Sequence, residues 1–239
     1  MTWLRCLFRS SRDLDPVLWH RLQAWRALPA VDERTRLGDL RLVVADCETS
    51  GLNPQRDQLL ALGAVAVQGR RLVAGDGFAR VLRRSLPRDD ANILVHGIGP
   101  QAQAAGDAPE AALMDFLEYA GKHALVAFHA RFDQAVIDRA TREILGVRPP
   151  NRWVDLARLA PALVPEARMP HASLDDWLGY CGLRALARHR ATDDAFASAE
   201  LLLILLARAR ARGIETLGQM LALCEQQARL LPGSGVGGA

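Results

Sequence analysis

The chain is predicted to fold as an α/β protein, with a mixed sheet covered by helices on both sides. Two observations predict this. Three consecutive strand-like segments fall between residues 40 and 82, and helical and strand-like segments then alternate to about residue 213. That order implies a mixed sheet buried between helical layers.

Residues 15–27, DPVLWHRLQAWRA, form a short helix. Asp15 can cap it and Pro16 suits its first position. Leu18, Leu22 and Trp25 recur at spacings of four and three. A polar stretch, AVDERTRLGD, follows. Residues 1–39 are thus an N-terminal helical appendage and linker that either packs on the main body or binds a partner.

LRLVVAD at 40–46 is continuously apolar after Arg41, as suits a strand covered on both faces. Residues 58–82 divide into two strands at a QGR hairpin turn. APEAALMDFLEYAG at 108–121 is helical with a glycine stop. HALVAFH at 123–129 is another buried strand, and helix runs from about Phe132 to Leu145. RWVDLARL at 152–159 is a short strand entering a helix. SLDDWLGYCG at 173–182 is helical, and residues 192–213 form one long helix stopped by Gly213. The main domain spans 40–213. Residues 214–239 supply a C-terminal helix and a flexible tail, PGSGVGGA.

Half of the 239 residues are hydrophobic, enough for a sizeable core and against disorder over most of the length. The net charge of +3 comes from 30 basic and 27 acidic residues, which resembles neither a histone nor an acidic tail. Lys122 is the only lysine, so arginine carries nearly all the positive charge. Cysteines at 6, 47, 181 and 224 form no CxxC pair, which argues against a zinc site or a disulfide framework and fits a reducing compartment. The first residues carry arginines inside a short apolar stretch, unlike a signal peptide. The longest apolar run, LLLILLA at 201–207, is far short of a membrane span. A soluble cytoplasmic protein with no membrane partner is expected.

Three acidic motifs carry the chemistry. In VVADCETSGL at 43–52, Asp46 and Glu48 lie two positions apart in a strand, so they project together while Cys47 points to the opposite face. A divalent cation with hard oxygen preference would stabilise such a pair. In AFHARFDQAVID, Asp133 lies just after a buried strand and near a helix start, where capping is its ordinary job. In ARHRATDDAFASAELLL, Asp193 and Asp194 open the long helix, favoured there by its dipole. His189, five residues before Asp194, fits the preceding loop, where it can lean over the acids.

DxE after a strand, FD after a later strand and HxxxxD opening a late helix together resemble the DEDD-type 3′–5′ exonucleases. The likeness is to the histidine-bearing branch, which includes the proofreading epsilon subunit of bacterial DNA polymerase III. It runs from about Leu40 to Arg212. VHGIG at 95–99, WVDLARL at 153–159 and ASLDDWL at 172–178 are similar to connecting segments of epsilon-like members. The resemblance implies an RNase H-like fold built on a five-stranded mixed sheet. It implies that Asp46, Glu48, Asp133 and Asp194 hold two Mg2+ or Mn2+ ions, and that His189 is the general base toward the attacking water. Thr49, Ser50 and Gly51 would lie against the terminal nucleotide. The expected reaction releases nucleoside 5′-monophosphates from the 3′ end of a single-stranded nucleic acid, DNA before RNA. Cys47 and Ser50 stand where the family usually shows threonines, and Phe128-His129 where it often shows His-Asn.

The alternative is a non-catalytic or RNA-directed member of the same fold that serves as an accessory module to a polymerase. The intact acids and His189 favour the enzyme. A DNA polymerase or another replication or repair protein is the expected protein partner, met through 1–39 or the helix at 214–230. Within that helix, Met220, Leu221 and Cys224 suit core packing better than a clamp-binding peptide.

Overall fold

In the computed structural model, residues 14–85, 93–94, 96–184 and 190–230 are described. Cys6, Val95, Arg188, His189 and the tail PGSGVGGA lie outside them. Helix α1 (Pro16–Arg26) comes first, capped by the Asp15 carboxylate, which accepts from the Val17 N–H at 2.9 Å. Strands β1 (Arg41–Thr49), β2 (Leu59–Gln68) and β3 (Arg71–Val81) follow. Helices α2 (Pro100–Ala104) and α3 (Pro109–Ala120) lead to β4 (Ala124–Ala127), α4 (Ala130–Leu145) and β5 (Trp153–Asp155). The described residues end with α5 (Leu156–Leu163), α6 (Leu174–Tyr180), α7 (Ala191–Ala211) and α8 (Leu217–Leu230).

The five strands form one mixed sheet in the order β3–β2–β1–β4–β5. β2 is antiparallel to both β3 and β1, whereas β1, β4 and β5 run parallel. β1 is longer than its apolar run predicts. Its ladder with β2 continues through the acids, pairing Asp46 with Gly63 and Glu48 with Ala61, and is interrupted by a bulge at Glu48/Thr49.

The continuous apolar character of β1 has a direct cause. Leu42 and Val44 enter one core with Leu156 and Leu159 of α5, Trp177 of α6, Leu202 and Leu205 of α7 and Met220 of α8. Val43, Ala45 and Cys47 enter a second core on the other face, with Phe116 and Leu117 of α3 and Val136 and Ile137 of α4. A strand fed from both faces can spare no polar position until it leaves the helical cover.

The described parts of both terminal segments pack on this body. Leu22 and Trp25 of α1 join the second core, and the Trp25 indole donates to the Gly121 carbonyl at 3.2 Å. Arg21 reaches Asp115 and Glu118 of α3. At the other end, the Leu217 and Gly218 N–H groups donate to the carbonyls of Thr35 and Glu33. Met220 and Cys224 are buried, as their sequence positions predict. The turn α2 was not legible in the sequence. It is five residues long and closes on local contacts, with the buried Gln103 side chain donating to the Ile98 carbonyl at 3.2 Å.

Candidate active site

The strand period places Asp46 and Glu48 on the same face of β1, toward α7, while Cys47 is buried against α4 on the other. Asp194 lies in the first turn of α7, which begins at Ala191 after an extended Arg190. The three acids meet: one carboxylate oxygen from each of Asp46, Glu48 and Asp194 lies within 4.8 Å of the others.

This meeting depends on a missing side chain. Gly63 faces Asp46 across the β1–β2 ladder. A Cβ there would stand 2.2 Å from the Ala191 carbonyl carbon and 2.3 Å from the Thr192 nitrogen. The backbone of the first turn of α7 therefore rests on the bare Cα of β2. That contact sets how close Asp194 comes to the two strand acids. In sequence Gly63 carries no such signal, because LALGAVAV reads as an ordinary strand.

Asp133 sits in the first turn of α4 and is only 4 % exposed. It is not one of the three acids that close within 4.8 Å. Its partner is Cys47, whose thiol donates to its carboxylate. Burial raises the Asp133 pKa to about 7, against the lowering effect of that thiol, with the charge of Asp155 adding to the rise. The same burial, and then the nearby negative charge of Asp133 and Asp46, pushes the Cys47 thiol well up, so Cys47 is a hydrogen-bond donor and not a thiolate.

Asp155, at the end of β5, is a fifth acid in this neighbourhood. Its Oδ1 accepts from the His129 N–H at 3.1 Å and the Ala157 N–H at 3.0 Å, which caps α5 and ties it to the entrance of α4. His129 itself adopts a left-handed conformation (φ 63°, ψ 45°) as it hands β4 over to α4. A non-glycine residue in that region costs on the order of 1 kcal/mol and persists where surrounding contacts fix it. His129 stands one turn before Asp133, so its conformation orients the helix turn that carries that acid.

Thr49, Ser50 and Gly51 begin a tight turn, 50–58, after β1. The Thr49 hydroxyl donates to the Gly51 carbonyl at 2.6 Å. Ser50 and Gln58 close the base of the turn, Ser50 N–H on the Gln58 carbonyl and Gln58 N–H on the Ser50 hydroxyl, both at 2.9 Å. A Cβ on Gly51 would lie 2.5 Å from Asp57 Oδ2, so a larger residue there must push the Asp57 carboxylate aside. His189 lies outside the described residues.

The chain has relatives among DNA polymerases and exonucleases. It is 28 % identical over 190 residues to a PolC-type DNA polymerase III of Thermotoga maritima, covering 80 % of this chain and 14 % of that protein. It is 34 % identical over 200 residues to a DNA polymerase III subunit epsilon-like protein of Rhodobacter capsulatus, covering 82 % of this chain and 28 % of the relative. The chain thus spans less than a third of the length of either. Among solved structures, Exonuclease I of E. coli bound to a dT13 oligonucleotide superposes with a TM-score of 0.61 at 20 % identity, over 73 % of this chain and 43 % of the other. Exonuclease X bound to 5′-overhanging duplex DNA gives 0.58 at 23 %, over 77 % and 99 %. These likenesses establish a shared RNase H-like exonuclease fold. The family model described as Exonuclease (RNase T) matches residues 43–202, from β1 into α7, a span that contains every acid assembled above. The chain belongs to that exonuclease family.

Proposed function

We propose that the protein is a metal-dependent 3′–5′ exonuclease of the histidine-bearing branch, acting on single-stranded DNA. The observation that carries this reading is the convergence of Asp46, Glu48 and Asp194 within 4.8 Å in a member of an exonuclease family. Three carboxylates so close repel one another unless a cation offsets them, and an all-oxygen donor set suits Mg2+ or Mn2+. Bound there, two such ions would stabilise the attacking and leaving oxygens of an in-line phosphoryl displacement.

The protein's own residues do the rest. Asp46, Glu48, Asp133 and Asp194 would hold the ions, the first, second and fourth of them already within 4.8 Å of one another. Thr49, Ser50 and Gly51 receive the terminal nucleotide, where the absence of a side chain at Gly51 permits close backbone approach. His189 accepts the proton of the attacking water, a role that suits an imidazole near neutral pH. The terminal phosphodiester then breaks on the side of the penultimate sugar, and a nucleoside 5′-monophosphate leaves.

DNA is supported as substrate by the oligonucleotides held in the Exonuclease I and Exonuclease X structures. A DNA polymerase or another replication or repair protein is the proposed partner, since the relatives include polymerases and one Exonuclease I structure holds an SSB C-terminal segment. Among the described residues no helix is long and apolar enough to cross a membrane. A cytoplasmic setting fits Cys47, Cys181 and Cys224, which form no disulfides.

The test uses 5′-labelled single strands of matched DNA and RNA with Mg2+ or Mn2+. Wild type is expected to shorten DNA from its 3′ end. Asp46→Ala should abolish this, and wild-type activity in that variant would overturn the assignment. His189→Ala should slow the reaction by about 10²–10⁴-fold while keeping the rise in Tm that Mn2+ produces. Faster loss of RNA than DNA would redirect the substrate to RNA.

A further inference from the structure

The turn 50–58 has no apolar anchor: none of its residues is buried, and Leu52 is 64 % exposed. Its position is therefore set by hydrogen bonds. Inside the turn these are local, such as the Asn53 N–H on Asp57 Oδ2 at 2.8 Å. They fix its shape, and the Ser50–Gln58 pair anchors its base to β1 and β2, but they do not hold its far end against the rest of the fold.

Arg139 of α4 supplies that link. Its Nε donates to the Pro54 carbonyl at 2.9 Å and its Nη2 donates to the Asp57 carbonyl, so one guanidinium spans two carbonyls of the turn. In sequence Arg139 looks like a surface residue paired with Glu143 four positions on. In the fold that pair is loose, at 3.8 Å, and the Arg139 side chain is only 14 % exposed. Arg84 grips the adjoining backbone, donating from Nε to the Leu59 carbonyl at 3.0 Å. Burial first, and then the charge of Arg139, disfavours the Arg84 cation. Two like charges are thus held close behind the turn, where both serve its backbone and Glu143 offsets part of the repulsion.

We propose that Arg139 is a positioning residue for the terminal nucleotide. Its fork fixes the turn 50–58, which opens with Ser50 and Gly51 directly after Thr49 at the end of β1, against the helix that carries Asp133, six residues earlier. A planar guanidinium can hold two carbonyls at once, which a lysine ammonium on a flexible stem cannot match. The nucleotide role rests on the exonuclease reading above; the tether itself does not.

The experiment pairs hydrogen exchange with kinetics in Arg139→Gln and Arg139→Lys. Arg139→Gln is expected to raise exchange at the amides of 53 and 55–58 about tenfold or more, leaving β1 and α7 unchanged, as local opening of a tethered loop requires. KM for the DNA 3′ end should rise about fivefold or more with kcat within about twofold, the signature of lost binding and not lost chemistry. Arg139→Lys should raise KM in the same way. Unchanged exchange and KM would overturn the proposal, as would a fall in kcat at constant KM. Full recovery by Arg139→Lys would also overturn it, because charge alone would then suffice. Were Arg139→Gln to unfold, Arg84→Gln would stand in, with the same exchange expected at 57–59. A wild type without nuclease activity would refute the exonuclease reading, and the exchange result would still decide the tether.

Discussion

At the scale of single residues, Gly63 shows how a site can hinge on an atom that is absent. Any Cβ at that position must displace the first turn of α7, because the atoms in its way are backbone and cannot rotate aside. Asp194 moves with that turn. A displacement of about 1 Å at a reacting centre costs on the order of 10²-fold in rate. Gly63→Ala is therefore expected to lower exonuclease turnover about 100-fold and to weaken the Mn2+-induced rise in Tm. Gly77→Ala is the control: it lies in the same sheet, and its Cβ would meet the Ala64 carbonyl oxygen at an ordinary 3.8 Å. Equal activity in the two variants would refute the role given to Gly63. Asp133 makes a second prediction. Burial raises its folded pKa to about 7, above the ordinary carboxylate range. Such a group favours folding while protonated, so its contribution is complete below about pH 4 and is lost as pH rises through 7. In EDTA, the urea midpoint of wild type should drop between pH 5 and pH 8 by more than that of Asp133→Asn. A parallel drop in both would sink this account.

Among the elements, those with a strong internal pattern were legible. β1, β2 and the long helices α4 and α7 followed from apolar runs, helical spacing and glycine stops. Asp46 and Glu48 were legible as a same-face pair because strand periodicity alone dictates it. What sequence could not show are contacts between distant segments. Gly63 reads as one small residue in a strand until α7 is placed upon it, and Arg139 reads as half of a helical ion pair until the turn 50–58 is placed beneath it. Asp133 illustrates the same limit. Its motif marks it as a partner of the other acids, but its burial and its bond to Cys47 arise only when α4 docks on the opposite face of β1 from α7. Asp155 was visible within WVDLARL but not its double use as cap of α5 and acceptor for His129. Removing both bonds in Asp155→Ala should cost about 1–3 kcal/mol, measured by urea unfolding. A cost equal to that of Ser173→Ala, an exposed cap at the start of α6, would show that the His129 contact contributes nothing.

For the whole molecule, the open question in the sequence was whether residues 1–39 dock a partner or complete the fold. Trp25 answers for its own helix: it is 2 % exposed, donates to the Gly121 carbonyl, and lies under the ammonium of Lys122, 2.9 Å from its ring centroid. The linker beyond α1 then hydrogen-bonds to the start of α8 through Thr35 and Glu33, so the two terminal segments brace each other across the main domain. Removing 1–39 would uncover the part of the second core that Leu22 and Trp25 cover and release α8 at its first turn. Trp25→Ala alone should cost about 3–5 kcal/mol, a large fraction of the 5–15 kcal/mol that holds a typical domain folded. The variant is expected to keep its Mn2+ response and cleavage pattern below its lowered Tm, because α1 touches α3 and not the acids. Deletion of 1–39 should give a protein of poor solubility, measured as the soluble fraction after expression at equal temperature. A soluble truncated chain with unchanged Tm would mean that α1 adds little to the fold and that its exposed face, with Val17 and Trp19, is the part that matters.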